Sequence, residues 1–265
     1  MILPKEINKV ATINKINNQQ IEKDYIVSWV LYGISENKTL FESLVFKGGT
    51  VLKKAYFPDY RFSEDLDFTL NDESIKNEQI KEEFKKVFVF VKEEANIDLQ
   101  LPDNKWAVYA SGSPQLYINY AGPLRGNMGS RDLKIDITRG EVLETAVERR
   151  SIFRNYSDLE NEFFLKCYSL DEVLIEKMTA LMGRMEPRDL YDFWFLTEIE
   201  GLFVDILSFK NKASRKGHNP NQFVEKVLIK EKSFKRDWIN KLASQIHDLP
   251  DFETVFREVK RHIKF

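Results

Sequence analysis

FKGGTVLKKAYFPDYRFSEDLDF, residues 46 to 68, is the stretch on which the fold turns. Just before it, Ser43 to Phe46 reads as a short apolar strand, ending in Lys47-Gly48-Gly49-Thr50. Val51 to Phe57 reads as a short helix stopped by Pro58. Leu66 to Leu70 alternates Phe68 and Leu70 against Asp67 and Thr69, the period of a strand. On a strand Asp65 and Asp67 point to one face. Two carboxylates so held repel unless a cation sits between them, and hard oxygen ligands suit Mg2+ or Mn2+. A Gly-Gly-Thr turn at a helix N-terminus leaves backbone N–H groups open to phosphate oxygens. A phosphate cradle beside a carboxylate pair is what phosphoryl or nucleotidyl transfer requires. A lone Asp-x-Asp is most often a solvated turn, and a lone Gly-Gly-Thr says less. The two in this order, joined by a helix and ending on an apolar strand, are far more specific.

Outward from this core, LKIDIT alternates Leu133, Ile135 and Ile137 with Lys134, Asp136 and Thr138. If this strand lies beside Leu66 to Leu70, Asp136 completes a three-carboxylate cluster, holding a second metal or accepting the proton of an attacking hydroxyl. Otherwise it is an edge-strand charge facing solvent. Helices are expected over residues 19–34 and 73–95, and strands over Trp106 to Tyr109 and Gln115 to Tyr120. AGPLRGNMGSR, residues 121–131, fits neither a Rossmann nor a P-loop pattern; it is expected as a mobile loop over the cleft, offering Arg125 and Arg131 to phosphate. Residues 171–199 read as two helices split by Pro187, with Asp171 as N-cap and Gly201 as C-cap. On the first, Lys177, Leu181 and Arg184 share a face; on the second, Arg188 and Asp192 do, as do Asp189 and Asp192. Lys177 and Arg184 would neutralise nucleotide phosphates, or else simply pair the two helices. Residues 202–265 read as Lys-rich helices.

Forty Lys and Arg balance 42 Asp and Glu over 265 residues, so no general nucleic-acid coat exists. Within 208–236, however, nine Lys or Arg stand against two acids, an excess that could follow an RNA backbone or be a solvated helix face. One cysteine, Cys167, excludes an intrachain disulfide framework and a cysteine-based zinc site. The three histidines are too far apart for a short metal motif. The longest apolar run, Tyr25 to Ile34, is too short for a membrane span, and MILPKEINKV lacks the apolar core of a secretory signal. A soluble, cytoplasmic protein is expected.

FKGGTVLKKAY, RFSEDLDF, LKIDIT and EVLIEKMTALMGRMEPRDLYDFW, with QIEKDYIVSWVL as an opening helix, together resemble the AbiEii/AbiGii toxin family of nucleotidyltransferases, within the DNA-polymerase-β-like superfamily. The resemblance runs in order over residues 20 to about 196. It implies that Gly49 and Thr50, with Gly48 before them, form the family's glycine–hydroxyl turn, Thr replacing the usual Ser. It places the metal-binding aspartates on Asp65 and Asp67, the family Lys on Lys177 and its late Asp on Asp192. Lys47, Arg61 and Ser63 match flanking positions; from the helix faces, Arg184 and Arg188 are expected as further nucleotide contacts. Asp136 is expected as the third metal and catalytic carboxylate. The implied reaction transfers NMP from an NTP with release of pyrophosphate, and relatives are thought to modify tRNA or other targets, usually beside an antitoxin.

The expected fold is α/β (α+β). A nucleotidyltransferase-like mixed sheet with flanking helices spans 1–160, and a C-terminal helical bundle, 161–265, completes the active-site cleft. The expected function is that of a Mg2+- or Mn2+-dependent nucleotidyltransferase toxin, using NTP and an RNA acceptor, tRNA first. A small-molecule nucleotidyltransferase of the antibiotic-modifying kind, or a non-catalytic partner of an antitoxin, are the alternatives.

Overall fold

The computed structural model describes residues 1–264. Two compact units divide it: residues 1–141 with 147–167, and residues 142–146 with the described residues from 168 onward. The first opens with α1 (Pro4–Asn14), α2 (Asn18–Glu36) and α3 (Lys38–Ser43), followed by β1 (Leu44–Lys47), α4 (Gly48–Val51) and β2 (Asp65–Leu70). It continues through α5 (Asn77–Ala95), β3 (Asp98–Gln100), β4 (Trp106–Val108), β5 (Pro114–Ala121), β6 (Asp132–Thr138), β7 (Glu148–Ser151) and β8 (Phe164–Cys167). The strands form one mixed sheet in the order β3-β5-β6-β2-β1-β8-β7, with β4 paired to β5. β2 runs antiparallel to β1 and parallel to β6, which is the pairing the third carboxylate required.

The alternation on each central strand has a simple cause. Leu66, Phe68, Leu116, Ile118, Ile135 and Ile137 are at most 1% exposed, so one face of the sheet is dry. α5 buries its Ile80, Phe84, Val87 and Val91 side and packs along α2. α2 itself is buried nearly all round, including the charged Glu22 and Asp24. Asp24 accepts from Lys54 Nζ at 2.7 Å and from the Tyr156 hydroxyl at 2.8 Å, so no buried charge there lacks a partner.

Several boundaries move for local reasons. The helix expected from residue 73 starts at Asn77, because Asp72 accepts from the Ser74 backbone N–H at 3.0 Å and folds a turn there. The helix expected from Val51 starts at Gly48 and widens into π-helical turns over Leu52–Tyr56. Strands β3, β7 and β8 and helices α1 and α3 were not expected from the sequence.

The second unit is helical: α6 (Leu170–Gly183), α7 (Pro187–Trp194), α8 (Ile206–Arg215), α9 (Phe223–Leu228), α10 (Glu231–Leu242) and α11 (Phe252–His262). Asp171 is not the N-cap of α6. Ser169 caps it, accepting from the Glu172 N–H at 3.1 Å. Pro187 takes the first turn of α7, and Gly201 adopts φ +68° just past the π-helical turns that follow it. Phe193, Phe209 and Phe223 form one aromatic cluster, and Tyr191, Trp238, Phe252 and Phe256 another. No helix among the described residues is long and apolar enough to cross a membrane.

Candidate active site

Register fixes the site before any side chain is considered. Lys47 lies opposite Asp67, Asp67 beside Asp136, and Asp136 opposite Gln115, a single row across four strands. The next row is Asp65, Lys134 and Tyr117. Cross-strand partners share a face, so both rows lie on the polar side of the sheet. Three of the expected residues, Asp65, Asp67 and Asp136, are thereby brought together with the expected Lys47.

The side chains add a cation that sequence reasoning left out. Lys134 Nζ sits 2.5 Å from Asp136 Oδ2. Partial burial disfavours the Lys134 ammonium, but Asp136 and Asp65 outweigh it and hold its pKa above the ordinary lysine value. Gln115 Nε2 donates to Asp136 Oδ1 at 2.7 Å and to the Tyr109 hydroxyl at 2.5 Å. Beside these groups opens a recess of about 280 Å3, lined by Asp67, Asp136, Thr138, Tyr109, Ser111 and Ser113.

Gly48 is required by this packing. Its φ is +79°, and a Cβ there would lie 2.5 Å from Asp67 Oδ2. Thr50, expected at phosphate, donates its hydroxyl proton to the Asp65 carbonyl at 2.5 Å, tying α4 to β2. Gly49 is buried in the same turn. Before β2, Arg61 is 5% exposed, donates to the Phe62 carbonyl at 3.3 Å and stacks on Tyr60; Ser63 is 7% exposed.

No group of three or more His, Cys, Asp or Glu among the described residues is arranged to hold a metal as it stands. Both Asp136 oxygens are already engaged, by Lys134 and Gln115. The donor set still fits a hard divalent ion: Asp65, Asp67 and Asp136 present only carboxylate oxygens on one face of the sheet.

In the second unit, Lys177 Nζ bridges Asp189 Oδ1 at 3.0 Å and Asp192 Oδ2 at 2.8 Å. All three side chains are buried, at 7%, 1% and 0% exposure. Arg184, expected at nucleotide, instead forks onto Asp189 through Nε at 2.6 Å and Nη2 at 2.9 Å. Burial by itself would raise the Asp189 pKa, but Lys177 and Arg184 overcome it and hold the carboxyl below its usual range. Arg188 is partly exposed on α7 and makes no ion pair among the described residues.

Two expected cation sets are largely spoken for. Arg131 is paired to the fully buried Glu22, and the Leu124 N–H donates to the same carboxylate at 2.6 Å, so the 121–131 loop is tethered to α2; Arg125 is exposed. Of the basic residues in 208–236, Lys212 is buried against Glu172 at 2.6 Å, and Lys230 caps the end of α6 through the Leu181 carbonyl at 2.6 Å. Arg215, Lys235 and Arg236 pair with Glu144, Glu253 and Asp237. Lys210, Lys216 and Lys232 are exposed and Lys226 is half-buried.

Sequence reasoning passed over Tyr109, Ser111, Ser113, Gln115 and Glu22. Only Gln115 left a trace, as a polar alternate on an apolar strand.

The family model for the nucleotidyl transferase AbiEii toxin, type IV toxin–antitoxin system, matches residues 29–258. Among solved structures the chain is similar to the nucleotidyltransferase toxin MenT4 of Mycobacterium tuberculosis, at 16% identity, covering 100% of this chain and 89% of that one with a TM-score of 0.66. It is also similar to JHP933 of Helicobacter pylori, at 18% identity, covering 94% and 92% with a TM-score of 0.57. At these identities the likeness is one of fold. No curated protein matches by sequence.

Proposed function

Because the chain belongs to the AbiEii nucleotidyltransferase toxin family, and is a nucleotidyltransferase of the type IV toxin–antitoxin kind, we propose that it transfers NMP from an NTP to an RNA acceptor with help from a divalent metal. The observation that carries the metal-dependent part is the row Lys47, Asp67, Asp136, with Asp65 beside it on the polar face. Asp65, Asp67 and Asp136 would hold Mg2+ or Mn2+, which when bound neutralises charge on the transferring phosphoryl group.

The chain's own residues do the rest. Lys47 and the first-turn backbone N–H groups at Gly48, Gly49 and Thr50 bind phosphate oxygens. Thr50 keeps that turn in register with Asp65. Arg61 and Ser63 support the entry to β2. Asp136 accepts the proton of the attacking hydroxyl, with Lys134 and Gln115 aiming its two oxygens. Within the helical unit we further propose a catalytic part for Lys177 and Asp192 and nucleotide contacts for Arg184 and Arg188. A cognate antitoxin is the partner that toxin–antitoxin membership suggests, and the cytoplasm is the expected compartment.

The Gly48→Ala variant tests the phosphate turn. Its new methyl group displaces the Asp67 carboxylate, so transfer falls about 100-fold, while a left-handed φ on a non-glycine residue costs about 1–2 kcal/mol of stability. Full activity with a normal melting temperature would remove Gly48 from the site.

The acceptor is tested with purified protein, Mg2+, each α-labelled NTP and total tRNA. Label is expected in RNA. Exposed Lys210 and Lys232 leave a small footprint, so log affinity for tRNA should fall with log salt at a slope of roughly −2. A flat response removes the RNA site. The engagement of five of the nine basic side chains favours a small-molecule acceptor as the second reading, and label moving only into small molecules would establish it.

A further inference from the structure

The hairpin between β4 and β5 is built more firmly than a surface loop needs. Tyr109 N–H donates to the Ser113 carbonyl at 3.0 Å, and Gly112 N–H to the Tyr109 carbonyl at 2.8 Å. Two outside groups pin it: Asn77 Nδ2 donates to the Gly112 carbonyl at 3.0 Å, and the Arg139 N–H to Ser113 Oγ at 3.0 Å. The result holds Tyr109, 51% exposed, at the rim of the recess that also contains Asp67 and Asp136. Gln115 Nε2 bonds both the Tyr109 hydroxyl and Asp136, fixing the ring relative to the carboxylate.

A half-exposed aromatic ring, locked in place beside catalytic carboxylates, is a stacking platform. The recess, about 280 Å3, lies near the lower end of small-molecule sites, about 300 Å3. Ser111 and Ser113 line the same space; Ser111 Oγ donates to Ser113 Oγ at 3.0 Å, which leaves the Ser113 hydroxyl proton for a ribose or base edge.

We propose that Tyr109 stacks a nucleobase next to Asp136, with Gln115 as the positioning residue that couples ring and carboxylate. This rests on Asp136 serving the attacking hydroxyl, which makes the acceptor's reacting nucleotide the expected occupant. The incoming NTP is the other source of the same chemistry.

The test compares wild type, Tyr109→Ala and Tyr109→Phe by steady-state transfer of labelled NMP to total tRNA, with KM read separately for tRNA and for NTP. A short oligoribonucleotide ending in 2-aminopurine reports stacking directly by fluorescence quenching. Tyr109→Ala is expected to raise KM for tRNA about tenfold or more, leave KM for NTP unchanged and abolish the quenching. Tyr109→Phe keeps the ring but loses the hydroxyl that Gln115 holds, so it should keep most of the quenching and raise KM for tRNA clearly less than Tyr109→Ala does. A rise confined to KM for NTP would assign the platform to the NTP base. Unchanged KM values in Tyr109→Ala, or a Phe variant as impaired as Ala, would overturn the stacking role. Absence of transfer by the wild type with every NTP would instead overturn the reaction assigned above, with the quenching measurement still deciding Tyr109.

Discussion

Asp67→Ala should lose at least about 10³-fold in nucleotidyl transfer, since removing a ligand that gathers charge at a phosphoryl centre costs several kcal/mol of transition-state stabilisation. Its fold should survive. Asp67 is partly exposed on the polar face, and its removal has two opposed effects on stability. It relieves repulsion from Asp65 and Asp136, and it takes a carboxylate away from Lys47, which is 7% exposed. The net change should stay within about 1 kcal/mol. Asp67→Asn should behave alike in activity, because the shape is kept and only the charge is lost. Circular dichroism and melting would confirm the fold, and label transfer would be the readout. Retention of wild-type activity by either variant would sink the carboxylate row as the catalytic centre.

The row itself was legible in the sequence to an unusual degree. A strand buried on one face must alternate, and both DLDF and LKIDIT do, so their polar residues had to share a face once the strands paired. The parallel register was beyond reach, since nothing local to residues 65–70 or 132–138 specifies which strand lies alongside. Short strands such as Glu148–Ser151 and Phe164–Cys167 escaped because four residues carry too little period to distinguish them from loop. Buried charges were the other blind spot. Glu22 reads as the polar face of a helix, yet its partner Arg131 is 109 residues away. Arg131 and Arg184 were for the same reason expected at phosphate, where the structure gives each a carboxylate. Tyr109 was read only as the end of a short strand, Trp106 to Tyr109, and its place beside Asp136 depends on long-range bonds from Asn77 and Arg139 that no local pattern announces.

Lys177→Met should lose much of the stability of the helical unit. It leaves Asp189 and Asp192, 1% and 0% exposed, without the ammonium that bridges them. Removing one partner of a buried ion pair costs about 3–5 kcal/mol, because the remaining charge is desolvated and uncompensated. Arg184 still forks onto Asp189, so the loss should fall toward the lower end of that range. The pH dependence identifies the cause. In the wild type the depressed Asp189 pKa contributes stability that is present above the unfolded carboxyl pKa and is lost as pH falls through the folded value. In Lys177→Met the buried pair relieves itself by taking up a proton, so the gap between variant and wild type should narrow from pH 7.5 to pH 5. Urea unfolding at both pH values measures it. A gap that is constant with pH would mean lost packing of the lysine stem rather than uncompensated charge. Activity then separates structure from chemistry: at a temperature where Lys177→Met remains folded, a transfer rate close to wild type would make Lys177 a structural ion-pair partner and remove it from the reaction.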